Sequence, residues 1–297
     1  MGKFILSFKR KGTIPPVTPD QPETPSVPDL DKLSFLPKPI SKFTIDDIGT
    51  TVSIPYTDSS SKILLNNGCI EFEVVGVNHH KDTNNADTPT ITLMTKNIIR
   101  YAAFDVVEPN SQTYDNDQGE YIRRYVGNNC WSVSNIRQWL NSSGAAGSWF
   151  NAQHRYDATP TLDNVSGEDG IYSDAPGFLA GFSADILQHF TDITNITAKS
   201  KLDGSGSEET VDKVFLPSYT EMYGSNNNGI AEGIYLSLRY TDDNSRKKTG
   251  ANSWYWMRSP AINYQDYGTR IISSDGFNGT QPPGNGDGGI APIIVLH

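Results

Sequence analysis

The chain is divided into short apolar runs, and this feature limits it to short strands and few helices. Runs rich in β-branched and aromatic residues end after a few positions at Gly, Asn or Pro. Such runs are typical of β-strands, because these side chains pack well on a pleated surface. They predict strands within residues 43–56, 69–80, 88–99, 212–218, 254–260, 269–276 and 288–296.

Three segments have helical patterns instead. Ser134 can cap a helix over residues 134–141, in which apolar side chains share one face. A longer helix is predicted over residues 176–190, where large apolar residues recur every four positions. Ser218 and Glu221 have the spacing of a capping box and predict a short helix after residue 218.

These elements predict one α+β domain over residues 41–297, mainly antiparallel β with two or three short helices. The chain has 297 residues, of which 36% are hydrophobic, so it is long enough and apolar enough to bury a core. We therefore expect a globular domain rather than a disordered chain.

The first forty residues differ from the rest and predict an extended N-terminal arm. Residues 1–12 form an apolar and basic peptide, which we interpret as an anchor; its apolar residues are Phe4, Ile5, Leu6 and Phe8. Residues 13–40 form a Pro-rich linker, with proline at every third position from Pro16 to Pro28. Polyproline II has three residues per turn and rises about 3.1 Å per residue, so this repeat spans roughly 40 Å. A plain linker and a rigid spacer behind an anchor both fit.

Several motifs in fixed order together resemble a known domain family: Trp131 with residues 134–141, then residues 177–183, 212–218, 254–260 and 289–296. The chain resembles an uncharacterised domain family of Gram-positive bacteria and their phages. The resemblance implies a C-type-lectin-like fold, related to the formylglycine-generating-enzyme fold, on a phage virion protein. Two positions depart from the family pattern, Ala261 in place of a glycine and Ala291 in place of an arginine.

The aromatic strand at residues 254–260 is interpreted as core rather than as a site. In folds of this kind a Trp-rich strand is an interior strand, and an arginine beside it stacks or pairs within the core. The residues predicted to form the structural core are Trp131, Trp139, Trp254, Trp256 and Arg258.

The segment after this strand supplies the predicted ligand contacts. Residues 263–289 are rich in Tyr, Asn, Asp, Ser and Gly, a mixture that adaptable binding loops use. The candidate ligand-binding residues are Tyr264, Asp266, Tyr267 and Asn278. The alternative is that this segment forms only solvated loops.

Calcium is the one cofactor that the sequence leaves open. Glu108 and Asn110 flank a proline as in calcium-dependent lectins, and Asp115 and Asp117 lie in an acidic turn. Calcium needs six or more converging oxygen ligands, and neither motif supplies them alone, so a solvated turn is the alternative. Adjacent histidines in a strand point to opposite faces, so His79 and His80 do not predict a zinc site. His154 and His189 have no ligand partner near them in sequence.

No enzymatic activity is predicted. Nucleophile-elbow, metalloprotease and phosphate-loop motifs are absent from the sequence. Cys69 and Cys130 are far apart in sequence, do not form a compact reactive pair, and are expected to be reduced core residues.

The net charge of −10 disfavours nucleic acid as a partner, and no apolar run is long enough to cross a bilayer, so no membrane partner or targeting signal is expected. We favour a protein of the virion surface whose arm binds other virion proteins and whose domain binds a host-surface glycan or protein. A decoration protein without a receptor and a formylglycine-generating-type enzyme are the alternatives. The oligomeric state stays open, since no heptad repeat is visible.

Overall fold

A computed structural model describes residues 33–60, 62–108, 123–154, 156–167, 170–250, 253–261 and 268–297. The strands of this part are β1 Thr51–Pro55, β2 Cys69–Val77, β3 Ile91–Thr95, β4 Arg100–Tyr101, β5 Ile193–Ala198, β6 Ser207–Asp212, β7 Val214–Phe215, β8 Tyr255–Pro260, β9 Thr269–Ile272, β10 Asn278–Gln281, β11 Gly289–Ile290 and β12 Ile293–Leu296. Each is short, as the broken apolar runs predict.

The strands form two five-stranded sheets and one two-stranded sheet. The first sheet has the order β1-β2-β3-β12-β7, and all its pairs are antiparallel. The second has the order β10-β9-β8-β11-β4, in which β8 and β11 are the one parallel pair. β5 and β6 pair with each other. The chain passes from the second sheet to the first between β11 and β12, at the buried residue Ala291.

The helices are few and short, as predicted. The α-helices with both ends in the described residues are α1 Asn135–Leu140, α2 Ala184–Leu187, α3 Tyr219–Tyr223 and α4 Asp243–Arg246, and residues 123–126 are helical as well. Single 3₁₀ turns occur at Ile40–Lys42, Ile45–Asp47, Trp131–Val133 and Phe178–Gly181. The fold is therefore mixed and mainly antiparallel β with few short helices, which outnumber the two or three expected. None of the helices in the described ranges has the length and apolar character needed to cross a membrane.

The single helix predicted over residues 176–190 is wrong. The chain forms the 3₁₀ turn Phe178–Gly181, becomes extended at Phe182, and starts α2 only at Ala184. Gly181 packs against the Tyr56 ring so closely that a Cβ would lie 2.1 Å from it. The rings of Phe178 and Phe182 also contact Tyr56. Packing around this tyrosine thus outweighs the four-residue periodicity, which is only a local preference.

The two large sheets share one hydrophobic core, which includes side chains from β2, β3, β8 and β12. The core reaches further towards the N-terminus than the predicted linker boundary allows, because Leu33 and Ile40 are already buried. The predicted anchor residues Phe4, Ile5, Leu6 and Phe8, and the proline repeat, lie outside the described residues.

One amine lies within this core. Lys248 is 6% exposed and its Nζ donates a hydrogen bond of 2.5 Å to the carbonyl oxygen of Thr95. Burial lowers the pKa of Lys248 to about 7, although the charge of Glu73 acts in the opposite direction. Between this pH and the pKa of a free lysine, the unfolded chain therefore binds one more proton at this position than the folded chain.

We expect this proton difference to make the free energy of unfolding rise with pH. From about pH 7 to pH 10, Lys248 contributes an increase of about 1.4 kcal/mol per pH unit. Lys248→Met removes this contribution. Urea unfolding of both proteins at pH 7, 8 and 9 measures it as the difference between their slopes, because all other groups titrate in both. Equal slopes would mean that Lys248 stays charged in the folded state.

Candidate functional site

Two polar segments are each closed at their ends by a backbone hydrogen bond. Glu108 N donates to Arg123 O at 3.1 Å, which joins the residues on either side of residues 109–122. Ala261 N donates to Gly268 O at 2.8 Å, which joins the residues on either side of residues 262–267. We call these pairs the Glu108–Arg123 stem and the Ala261–Gly268 stem.

The segment that leads into α1 connects the two stems. Gly127 N donates to Arg123 O at 3.0 Å, in the first stem. Two residues later, Asn129 Nδ2 donates to Ala261 O at 3.3 Å and to Gly268 O at 2.9 Å, in the second stem. Asn129 is fully buried, so the connection belongs to the packed interior. The two stems therefore lie side by side, although more than a hundred residues separate them in sequence.

Gly127 is the residue that permits this close approach. Its φ is +86°, in the left-handed region that glycine adopts at little cost. A Cβ at this position would lie 2.8 Å from the carbonyl oxygen of Val106. Any side chain here would push the connecting segment away from the first stem.

An acidic cluster lies at the Glu108–Arg123 stem. Asp105, Glu108 and His154 each offer one oxygen or nitrogen, and the three atoms lie within 4.8 Å of one another. Asp105 and Glu108 are buried, whereas the His154 side chain is 20% exposed. His154 Nδ1 is 3.5 Å from Glu108 Oε1, and its Nε2 is 3.4 Å from Asn128 Nδ2. The imidazole thus forms the solvent edge of a buried carboxylate pair.

The cluster concentrates negative charge in a buried place. Burial raises the pKa of Asp105 well above its usual range, and the charges of Asp157 and Glu108 raise it further. Burial lowers the pKa of His154. The charge of Asp157 raises this pKa, and the charge of the nearby Arg123 lowers it. The folded protein therefore favours either a proton or a bound cation among these carboxylates.

The sequence identified only part of this cluster. Glu108, predicted as a calcium ligand, lies next to Asp105 and His154, while Asn110, Asp115 and Asp117 fall outside the part of the chain that the structure describes. The spacing of Asp105 and Glu108 was visible in the sequence. His154 could not be linked to them, because only the folding of the intervening segment brings it there.

The predicted ligand residues lie mostly in the other segment. Tyr264, Asp266 and Tyr267 are among the residues that the structure does not describe, between the two residues of the Ala261–Gly268 stem. Asn278 is exposed on β10, and its Oδ1 accepts a hydrogen bond of 3.2 Å from Arg270.

The aromatic strand β8 is interior along its whole length. Trp256 is 0% exposed and Arg258 is 1% exposed, whereas Trp254, just before the strand, is only half-buried and packs on Trp256. Arg258 forms two contacts with Glu221, of 2.7 Å and 3.1 Å. Trp131 and Trp139, the other predicted core tryptophans, are also fully buried.

The two adjacent histidines do not point to opposite faces as predicted. Strand β2 ends at Val77, and Asn78 has a φ of +51°, so the chain turns before the histidines. The rings of His79 and His80 contact each other with centroids 4.9 Å apart. The two histidines line a cleft of about 350 Å³, together with Asp82, Thr194 and other residues.

His80 is part of the buried charge network of β8. Its Nε2 lies 3.1 Å from Glu221 Oε1, and its Nδ1 lies 3.0 Å from Thr92 Oγ1. Burial raises the pKa of Glu221, but Arg258 and His80 outweigh this and hold it well below its usual range. Both ring nitrogens of His80 therefore have partners. His80 lies between Thr92 and Glu221 and contributes to holding the Glu221 carboxylate in place.

The cysteines have separate surroundings. Neither forms a disulfide; Cys130 is buried and Cys69 is half-buried on β2. Cys130 Sγ lies 3.2 Å from Glu208 Oε2. Burial and the charge of Glu208 raise the pKa of the Cys130 thiol, which is the opposite of what a reactive thiolate needs.

Comparison with known proteins identifies a family. A family model described as a domain of unknown function, DUF6273, matches residues 90–297. No curated protein and no solved structure matches the chain. The matched range includes both stems and the acidic cluster, and it excludes β1, β2 and the N-terminal arm.

Proposed function

We propose, from the premise that the chain belongs to the DUF6273 family, that it is a non-enzymatic binding protein. The observation that carries the proposal is the connection of the two stems through Asn129. It holds the ends of two polar segments next to each other on a buried scaffold. Binding residues commonly lie on chain segments between rigid elements, because these elements position them while their sequence is free to vary.

The composition of the second segment supports the same function. Tyr264 and Tyr267 lie between the residues of the Ala261–Gly268 stem, together with Asp266 and an asparagine. Tyrosine supplies a large contact area with few rotatable bonds, and short polar residues supply adaptable hydrogen bonds. This mixture suits a glycan or a protein surface as the ligand.

The proposal also covers the type of fold and the place of the protein in a virion. We infer a C-type-lectin-like domain, and the mixture of two mainly antiparallel sheets with short helices is compatible with it. We also infer a position on the virion surface, where residues 1–12 bind other virion proteins and residues 13–40 act as the spacer. Several copies on one particle would turn weak single contacts into strong attachment.

Replacing Tyr264 and Tyr267 by Ala tests whether the segment that contains them contacts the ligand. We call this segment the ligand face. We expect the double variant to bind host cells at least about tenfold more weakly, since tyrosines that anchor an interface contribute strongly to affinity. Its melting temperature should equal that of the wild type. The measurement is saturation binding of the labelled full-length protein to host cells and to bacterial surface polysaccharides, with and without a calcium chelator.

Leu64→Ala is the control for this experiment. Leu64 is 56% exposed and lies before β2, outside the segment 263–289 that is predicted to contact the ligand. We expect it to leave host binding unchanged. Normal binding by the tyrosine variant, or an equal loss in the Leu64 variant, would overturn the assignment of the ligand face.

A decoration or assembly role without receptor binding is the second candidate. Ile45 and Leu238 are 65% and 61% exposed and line the same shallow groove beside β2. Exposed apolar side chains that lie together favour contact with another protein. Absence of host binding by folded wild-type protein, combined with its incorporation into particles, would favour this candidate.

A formylglycine-generating-type enzyme is the weakest alternative. It would use reactive cysteines, whereas the surroundings of Cys130 disfavour its thiolate. The hydrogen bonds of Cys130 lead to Ser132 and Glu208, and Cys69 instead pairs with β1.

A further inference from the structure

We propose that Asp105, Glu108 and His154 bind one divalent transition-metal ion, with Zn²⁺ as the expected occupant. This inference goes beyond the proposed function, because metal binding by the chain does not depend on whether a host ligand exists. It rests on the distances within the cluster, on an unpartnered buried oxygen, and on the types of ligand atom.

The distances are close to those of a metal site. In a tetrahedral zinc site, bonds of about 2.0–2.2 Å place neighbouring ligand atoms roughly 3.4 Å apart. His154 Nδ1 and Glu108 Oε1 are 3.5 Å apart, which is long for a direct hydrogen bond and suitable for two ligands of one ion. Asp105 contributes the third atom within the 4.8 Å limit of the cluster.

A second observation points to a missing positive charge. Asp105 is fully buried, and its Oδ1 accepts a hydrogen bond of 3.3 Å from Asn135 N. Its Oδ2 has no hydrogen-bond partner among the described residues. A buried carboxylate oxygen without a partner is costly, and a cation between Asp105 and Glu108 would remove that cost.

The ligand atoms favour a transition metal over calcium. Calcium takes six to eight oxygen ligands and makes little use of imidazole, whereas two carboxylates and one histidine suit Zn²⁺ or a neighbouring first-row ion. The partial exposure of His154 leaves a route from solvent. Three protein ligands also leave one position for a water molecule or for an oxygen of a bound ligand.

The test is metal binding by the full-length protein without an affinity tag. After treatment with a chelator and dialysis, the protein is titrated calorimetrically with Zn²⁺, Mn²⁺ and Ca²⁺ in separate runs. We expect about one Zn²⁺ per chain. Binding should become at least tenfold weaker in Asp105→Asn and in His154→Gln, and His189→Gln should bind as the wild type does.

These variants keep the test independent of folding. Asn at position 105 preserves an acceptor for Asn135 N, and His189 is a buried histidine away from the cluster. Thermal melting of the metal-free proteins confirms that each variant folds. Addition of Zn²⁺ should then raise the melting temperature of the wild type and of His189→Gln alone.

Two results would overturn the proposal. One is a folded wild-type protein that binds no Zn²⁺, or binds it equally well after both cluster substitutions. The other is stoichiometric Ca²⁺ binding without Zn²⁺ binding. Host-cell binding is measured separately, so failure of the metal site and failure of the binding function give different results.

Discussion

Arg258→Met is expected to lower the free energy of unfolding by about 3–5 kcal/mol at neutral pH. The substitution removes the cation that contacts both oxygens of Glu221, and both side chains are 1% exposed. Glu221 would then be a buried carboxylate without its main counter-charge, although His80 still contacts it. Urea unfolding followed by tryptophan fluorescence measures the change.

A second variant separates the lost charge pair from lost packing. Glu221→Gln added to Arg258→Met removes the isolated charge while keeping an oxygen that can accept from Ser218 N in the capping box. We expect the double variant to regain at least about 1 kcal/mol relative to Arg258→Met.

The more accessible pair of Lys38 and Asp47 is the control for this charge effect. Its atoms are 2.6 Å apart, but the Lys38 side chain is 34% exposed. Lys38→Met should therefore lower the free energy of unfolding much less than Arg258→Met does. An equal effect of the two substitutions would contradict the importance that we assign to burial.

Features that depend on neighbouring residues could be predicted from the sequence. Ser134 accepts a hydrogen bond from Arg137 N at the start of α1, and Ser218 and Glu221 form the predicted capping box of α3. Such caps involve residues only three positions apart, so the sequence pattern itself contains both partners.

The strands β5 and β6 were missed because they lack an apolar run. Their buried positions include Asn195, Thr197 and Asp212, and Asn195 Nδ2 donates to Asp212 Oδ2 at 3.0 Å. A polar strand of this kind is stabilised by specific hydrogen bonds, which a hydrophobic pattern does not reveal.

The candidate site was missed for a related reason. Asn129 was not singled out in the sequence, yet its side chain joins the two stems. His154 was excluded because no ligand residue is near it in sequence, and the fold brings it to Glu108. Composition singled out the two segments only as candidates, whereas the relative positions of their ends depend on buried side chains from a third segment.

Trp256→Ala is expected to lower the free energy of unfolding by about 3–5 kcal/mol, because it empties a fully buried position. Trp256 is 0% exposed, and its Nε1 donates to Ala102 O at 2.8 Å. The ring lies so close to Gly288 that a Cβ there would be 1.9 Å from Nε1. The surroundings are therefore shaped around the indole, and Ala cannot fill the space or satisfy Ala102 O. Chemical denaturation measures the loss.

Trp254→Ala provides the comparison for this strand. Trp254 contacts the Trp256 ring edge-on, with centroids 5.0 Å apart, but it is only half-buried. We expect a smaller loss, of about 1–2 kcal/mol, because less apolar surface is removed from a place that solvent can reach. An unchanged stability of Trp256→Ala, or a larger loss in Trp254→Ala, would mean that the half-buried tryptophan, and not the interior one, is the main packing residue at this end of β8.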